Sequence, residues 1–160
     1  MEERSISFNY KVFKSREELP SEDAALLQKA TVALEQSYSP YSNFKVAAAV
    51  LLANGEIVTG SNQENAAFPA GICAEGTVLS AASSLYADVA IVKIAITVKS
   101  HKRVIETPVA PCGICRQRLL EYENRFNQSI QIILAGEKGE VFVIDSVKHI
   151  LPLYFSKNNL

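Results

Sequence analysis

Apolar residues Ile6, Phe8, Tyr10 and Val12 alternate with Ser7, Asn9 and Lys11, the period-two signature of a strand with one apolar face. Ser21 is the expected cap of a helix with Glu22 and Asp23 in its first turn, near the positive end of the dipole. Ala25, Leu26, Lys29, Ala30 and Ala33 carry that helix onward. Lys45 to Ala53 is an apolar run that ends at Asn54-Gly55, and Glu56 to Gly60 answers it. Asn-Gly between two such runs predicts a hairpin, because both residues tolerate positive φ. Gly71 to Tyr86, rich in Ala, Leu and Ser, predicts a helix beginning at the first cysteine. Val89 to Val98 predicts a buried strand. Cys112 to Tyr122 predicts another helix that starts at a cysteine, built from Arg116, Leu119, Leu120 and Glu121. Two further strands are expected at Ile130 to Ala135 and Val141 to Ile144, separated by Gly136 to Gly139. A short helix over Ser146 to Leu151 precedes the tail.

After the N-terminal strand the order is helix, strand, strand, helix, strand, helix, strand, strand. This predicts an α/β fold: a mixed five-stranded sheet flanked by helices, with an extra N-terminal strand. Residues 1–20 read as an extension and residues 21–160 as one domain, since no repeat, linker or low-complexity stretch divides the chain. The apolar face of the extension needs cover, from this subunit or another.

Composition narrows the function without naming it. A 48% apolar and 21% charged chain is an ordinary globular one, and a net charge of −1 provides no basic face for nucleic acid or an anionic membrane. The expected partner is a small molecule. The start, Met1-Glu2-Glu3-Arg4, has no signal-like apolar core, and no apolar stretch approaches a membrane span. Three cysteines cannot all pair with one another, which favours the reducing cytoplasm.

Those three cysteines carry the chemistry. Cys73 lies two residues before Glu75, and Cys112 and Cys115 lie in Pro111-Cys-x-x-Cys. Three thiolates hold Zn²⁺ while leaving its fourth tetrahedral position open, as in a catalytic site. A neighbouring carboxylate that is not a ligand can then move protons. Cys73 and Cys112 are expected at helix starts, where free N–H groups and the dipole favour thiolate. A redox Cys-x-x-Cys pair, or a closed structural zinc site using His101, would also account for part of this pattern.

Taken together, Tyr41-Ser42-Asn43-Phe44, Asn62-Gln63-Glu64-Asn65, Gly71-Ile72-Cys73-Ala74-Glu75, Pro111-Cys112-Gly113-Ile114-Cys115-Arg116-Gln117 and Leu151-Pro152-Leu153 resemble the small, three-cysteine cytidine deaminases, from about Tyr41 to Phe155. The resemblance implies one Zn²⁺ per subunit on Cys73, Cys112 and Cys115, with Glu75 transferring protons between water and the pyrimidine. It implies that Asn62 and Glu64 bind the ribose hydroxyls, that Phe44 packs on the nucleoside and that the Ala74 backbone contacts the base carbonyl. Phe155, or its neighbour Tyr154, would reach a neighbouring subunit's site in a homotetramer. The implied reaction is hydrolytic deamination of cytidine and 2′-deoxycytidine in pyrimidine salvage. A modified aminopyrimidine nucleoside such as blasticidin S is the alternative substrate, and a zinc-stabilised binding domain the alternative class.

Two residues depart from the pattern. Gly76 stands where the resemblance leads one to expect an arginine offsetting the thiolates, and Ala47 stands where glycine is common. Arg116, directly after Cys115, is the expected substitute cation.

Overall fold

A computed structural model describes residues 1–160. Its strands are β1 (Lys11–Phe13), β2 (Phe44–Leu52), β3 (Ile57–Ser61), β4 (Ile91–Ser100), β5 (Gln131–Ala135) and β6 (Val141–Ile144). Its helices are α1 (Ser21–Ala33), α2 (Ala74–Leu85) and α3 (Gly113–Phe126). The sheet runs β1-β6-β5-β4-β2-β3, antiparallel except between β4 and β5, which α3 connects as a crossover. The mixed α/β expectation holds, with the extra strand making six. No helix is long and apolar enough to cross a membrane.

The two-residue period of the strands sorts the core into two layers. Ala48, Val50, Leu52, Ile94, Ile96, Ile132 and Leu134 face α2 and α3, and Ala49, Ala95, Ile133, Val141 and Val143 face α1. Alanines at 49 and 95 leave room for Leu26, Leu27 and Ala30 of α1. On the other face β3 meets α2 closely: a Cβ at Gly60 would lie 2.8 Å from the backbone nitrogen of Val78. The Asn54-Gly55 turn forms as expected, with Gly55 at φ 89°.

Most boundaries shift by one to four residues from expectation, among them β4, which runs Ile91–Ser100 rather than 89–98, and α3, which continues to Phe126; three differences have a local cause. The N-terminal strand covers 11–13 rather than 6–12, because Lys11 pairs with Val143 and β6 ends one residue later, at Ile144. The alternation before Lys11 instead packs side chains: Tyr10 lies 5.0 Å from Phe142 and Phe8 stacks 5.9 Å from His149, ring centre to ring centre. Ser21 is the first residue of α1, with Pro20 at its boundary and no side-chain cap. The helix expected over Ser146 to Leu151 is one 3₁₀ turn, Val147–Ile150, capped by Ser146. Arg16 ties the N-terminal segment to the body through Thr31 Oγ1 (3.1 Å), Thr97 Oγ1 (3.0 Å) and the Gly136 carbonyl (2.5 Å).

Glu123 fixes the far end of α3. Its carboxylate is 2% exposed and accepts from Ile130 N (2.9 Å), Val147 N (3.0 Å) and Ser146 Oγ (2.8 Å). It therefore joins the helix to the start of β5 and to the capped 3₁₀ turn. Glu123→Ala leaves these buried donors without their acceptor, and about 2–4 kcal/mol of unfolding free energy should be lost in chemical denaturation. Glu123→Gln, which keeps one amide oxygen as acceptor, should lose less.

Candidate active site

Cys73 and Cys112 are the N-cap residues of α2 and α3. The two helices run parallel, side by side. Cys73 meets Cys115, Leu79 O accepts from the Tyr122 hydroxyl at 2.9 Å, and Ser83 Oγ accepts from Arg125 at 3.2 Å, all at a sequence offset of 42 or 43. Both positive dipole ends therefore point to one place. There the Cys73 and Cys115 sulfurs lie 2.7 Å apart, and a Glu75 carboxylate oxygen joins them in a group spanning at most 4.8 Å. Cys115 and Glu75 are buried, Cys73 is half-buried and Cys112 is exposed. The sulfur of Cys112 lies outside that close group, although Cys112 lines the same cavity.

The Cys115 thiol hydrogen-bonds to the Cys73 sulfur, which lowers the Cys73 pKa to about 7; the Gly76 amide (3.3 Å) and Arg118 act in the same direction. The same bond, with burial and the Glu75 charge, pushes Cys115 far above the usual thiol range. Two sulfurs and a carboxylate within bonding reach of one point form a donor set suited to a borderline-soft dication such as zinc. His101 is exposed and outside this group, so it completes no closed structural site.

A cavity of about 680 Å³ opens onto the group. Of the sequence-predicted residues, it brings together Cys73, Glu75, Cys112, Cys115, Asn62 and Glu64. It leaves out Phe44, Ala74 and Phe155. Phe44 stands at the start of β2, Ala74 is fully buried in the core beside Val78, and Phe155 is exposed, its carbonyl held by Gln117 Nε2 at 2.9 Å. Tyr41 and Phe68, in edge-to-face contact at 6.1 Å, supply the aromatic wall. Phe68 was legible only as part of Phe68-Pro69, where proline favours the tight turn Phe68–Ala70 that presents it.

Glu64 Oε2 accepts from the Tyr41 amide (2.9 Å) and the Ser42 amide (3.2 Å), which leaves Oε1 available. Hydrogen bonding by the Ser42 side chain, and then by the two amides, holds the Glu64 pKa below its ordinary value. Asn62 is largely committed to the fold: Oδ1 accepts from Val46 N (2.9 Å) and Ser37 Oγ (2.5 Å), and Nδ2 donates to Phe44 O (3.0 Å). One Nδ2 proton remains to donate.

Arg116 is not the cation beside the thiolates. Its Nε and Nη1 donate to the carbonyls of Pro111 (2.8 Å) and Ile150 (2.7 Å), bracing the loop that carries Cys112. Arg118 takes that place instead, with Nη1 3.9 Å from Cys73 Sγ. Helical geometry was the available signal: Arg118 follows Cys115 by three residues and shares its face, whereas a residue one position on points elsewhere.

Residues 20–127 match the sequence model of the cytidine and deoxycytidylate deaminase zinc-binding region. A cytidine deaminase of Sporosarcina psychrophila is 37% identical over 140 residues, covering 84% of this chain and 92% of that protein. The chain belongs to the cytidine deaminase family. The crystal structure of cytidine deaminase from Burkholderia pseudomallei superimposes with a TM-score of 0.70 at 35% identity, covering 86% of this chain and all of that one. The Mycobacterium tuberculosis cytidine deaminase structure gives 0.64 at 31% identity, over 82% and 95% of the two chains. The six-stranded sheet of this family member thus carries the family's fold, with β1 added at one edge.

The Glu64 environment has a measurable consequence. A depressed carboxylate pKa contributes stability that is present above the unfolded-state value and lost as pH falls through the folded one. Ser42→Ala should raise the Glu64 pKa toward the ordinary glutamate value, read from its side-chain carboxyl resonance in an NMR titration. An unmoved midpoint would show that Ser42 does not hold the group.

Proposed function

We propose that this chain is a zinc-dependent cytidine deaminase, converting cytidine and 2′-deoxycytidine to uridine and 2′-deoxyuridine with release of ammonia in pyrimidine salvage. One observation carries the reading: the wall of a single cavity of about 680 Å³ contains both the Cys73–Cys115–Glu75 group and Glu64, one of whose carboxylate oxygens is held by main-chain amides. That volume suits a nucleoside. The wall contains no lysine, arginine or histidine and two carboxylates, Glu64 and Glu75, so a phosphorylated substrate would be repelled where a neutral nucleoside is not.

Cys73, Cys112 and Cys115 would hold one Zn²⁺, and Glu75 stays free to move protons. When bound, the metal supplies a Lewis acid that makes water nucleophilic near neutral pH. Glu75 accepts a proton from the attacking water and passes it to ring N3 as the oxygen bonds to C4. It then carries the second proton to the 4-amino group as the C4–N bond breaks. Water is consumed, ammonia leaves, and the carboxylate is restored. Glu64 Oε1 and the remaining Asn62 Nδ2 proton bind the ribose hydroxyls, and Tyr41 and Phe68 enclose the nucleoside. Phe44, at the start of β2, and the backbone of Ala74, next to Cys73, complete the nucleoside contacts in this reading. Phe155, 58% exposed, reaches a neighbouring subunit's cavity in a homotetramer. Residues 21–160 form the deaminase domain, residues 1–20 its extension, and the free thiols suit the cytoplasm.

The test is ultraviolet monitoring of cytidine with the purified protein. Wild type should deaminate it, and a chelator should abolish turnover. Glu75→Gln should lose about 10²–10⁴-fold in rate with its metal content retained. A wild-type protein that binds zinc and never turns over cytidine would instead be a binding domain.

A further inference from the structure

The proposed centre carries more negative charge than its cavity offsets. Three thiolates and Zn²⁺ sum to −1, and Glu75 adds another −1 within the same group. The cavity wall supplies no cation. Charge of this kind in a half-buried site needs a partner.

Only one guanidinium contacts a cysteine sulfur. Arg118, an exposed residue of α3 outside the cavity wall, brings Nη1 to 3.9 Å from Cys73 Sγ. The space it uses exists because residue 76 has no side chain: a Cβ built on Gly76 would land on Arg118 Nη1 itself, and at 3.2 Å from Cys73 Sγ. The same hypothetical Cβ meets Ile72 Cγ1 at 3.1 Å, so a methyl at residue 76 has no other room and would displace the flexible end of Arg118 from this gap. Arg116 does not take this place: its Nε and Nη1 are turned to the Pro111 and Ile150 carbonyls, and it contacts no cysteine sulfur.

We infer that Arg118, seated in the gap left by Gly76, is a positioning residue that balances the thiolate charge of the metal centre from α3. The inference rests on the metal reading above. The guanidinium touches a ligand sulfur and not the substrate, so it acts on the ligand field and on kcat, and leaves nucleoside binding largely alone. Gly76 and Arg118 work as a pair: the first makes the gap and the second fills it.

The test uses the protein loaded with Co²⁺ in place of zinc, with the sulfur-to-metal charge-transfer band as the readout. A sulfur that loses a cationic N–H partner becomes a better electron donor, so its band moves to longer wavelength. Arg118→Gln should move the band in that direction and lower kcat of the zinc enzyme by about tenfold with KM little changed. Arg118→Lys should recover part of both. Gly76→Ala, which keeps the arginine but displaces it, should reproduce the shift, and Gly76→Ala combined with Arg118→Gln should add nothing further. A band unmoved in either single variant overturns the inference. Wild type that binds neither Co²⁺ nor Zn²⁺ overturns the metal reading itself, a result distinct from any shift among the variants.

Discussion

The hydrogen bond from the Tyr122 hydroxyl to the Leu79 carbonyl marks the contact on which the site depends, the parallel seating of α3 beside α2. Leu119 and Leu120 from one helix and Val78, Leu79 and Ala82 from the other bury against β2, β4 and β5, which fixes both helices on one face of the sheet. The sulfurs of Cys73 and Cys115 are then neighbours because their helices start together, not because a loop delivers them. The far end is held as firmly, by Glu123 against Ile130, Ser146 and Val147. A slip of α3 by one residue would rotate Cys115 and Arg118 away from α2 by about 100°.

Charge is handled at two distances. Within the close group, helix N-termini, the Gly76 amide and the shared thiol proton act on the sulfurs directly. Farther along the cavity, Glu64 is anchored by main-chain amides of the Tyr41-Ser42 turn, so one oxygen is spent on holding the residue still and the other is free for a ligand. Asn62 follows the same economy, with most of its amide bonded to β2 and to Ser37. Polar groups held this way lose little freedom on binding, which favours affinity for a small polar ligand.

Much of this was legible in the sequence because it depends on local periodicity. The helices starting at Cys73 and Cys112, the Asn54-Gly55 hairpin and the strand runs all follow from spacing and turn chemistry. What stayed hidden depends on tertiary geometry. The end of the last strand at Ile144 was legible, but the N-terminal alternation gave no sign that it would pair there, leaving Phe8 and Tyr10 past its end to pack as side chains. Arg116 was the expected cation by adjacency, yet adjacency along a helix is the wrong measure; position on the helix face selects Arg118. The cavity's aromatic wall is made by Tyr41, which stood in a legible motif, and by Phe68, which a proline turn projects from a segment that no motif marked.

The central claim is an open three-sulfur metal centre with Glu75 kept free for proton transfer. X-ray absorption at the zinc edge of the metal-loaded protein tests it most directly, because it counts sulfur and lighter scatterers separately. Such a centre gives three sulfurs at about 2.3 Å and one oxygen at about 2.0 Å. That count requires the Cys112 sulfur to join the two that already stand together. Two sulfurs with two light ligands would contradict it, leaving Cys112 outside the centre and Glu75 bound as a ligand.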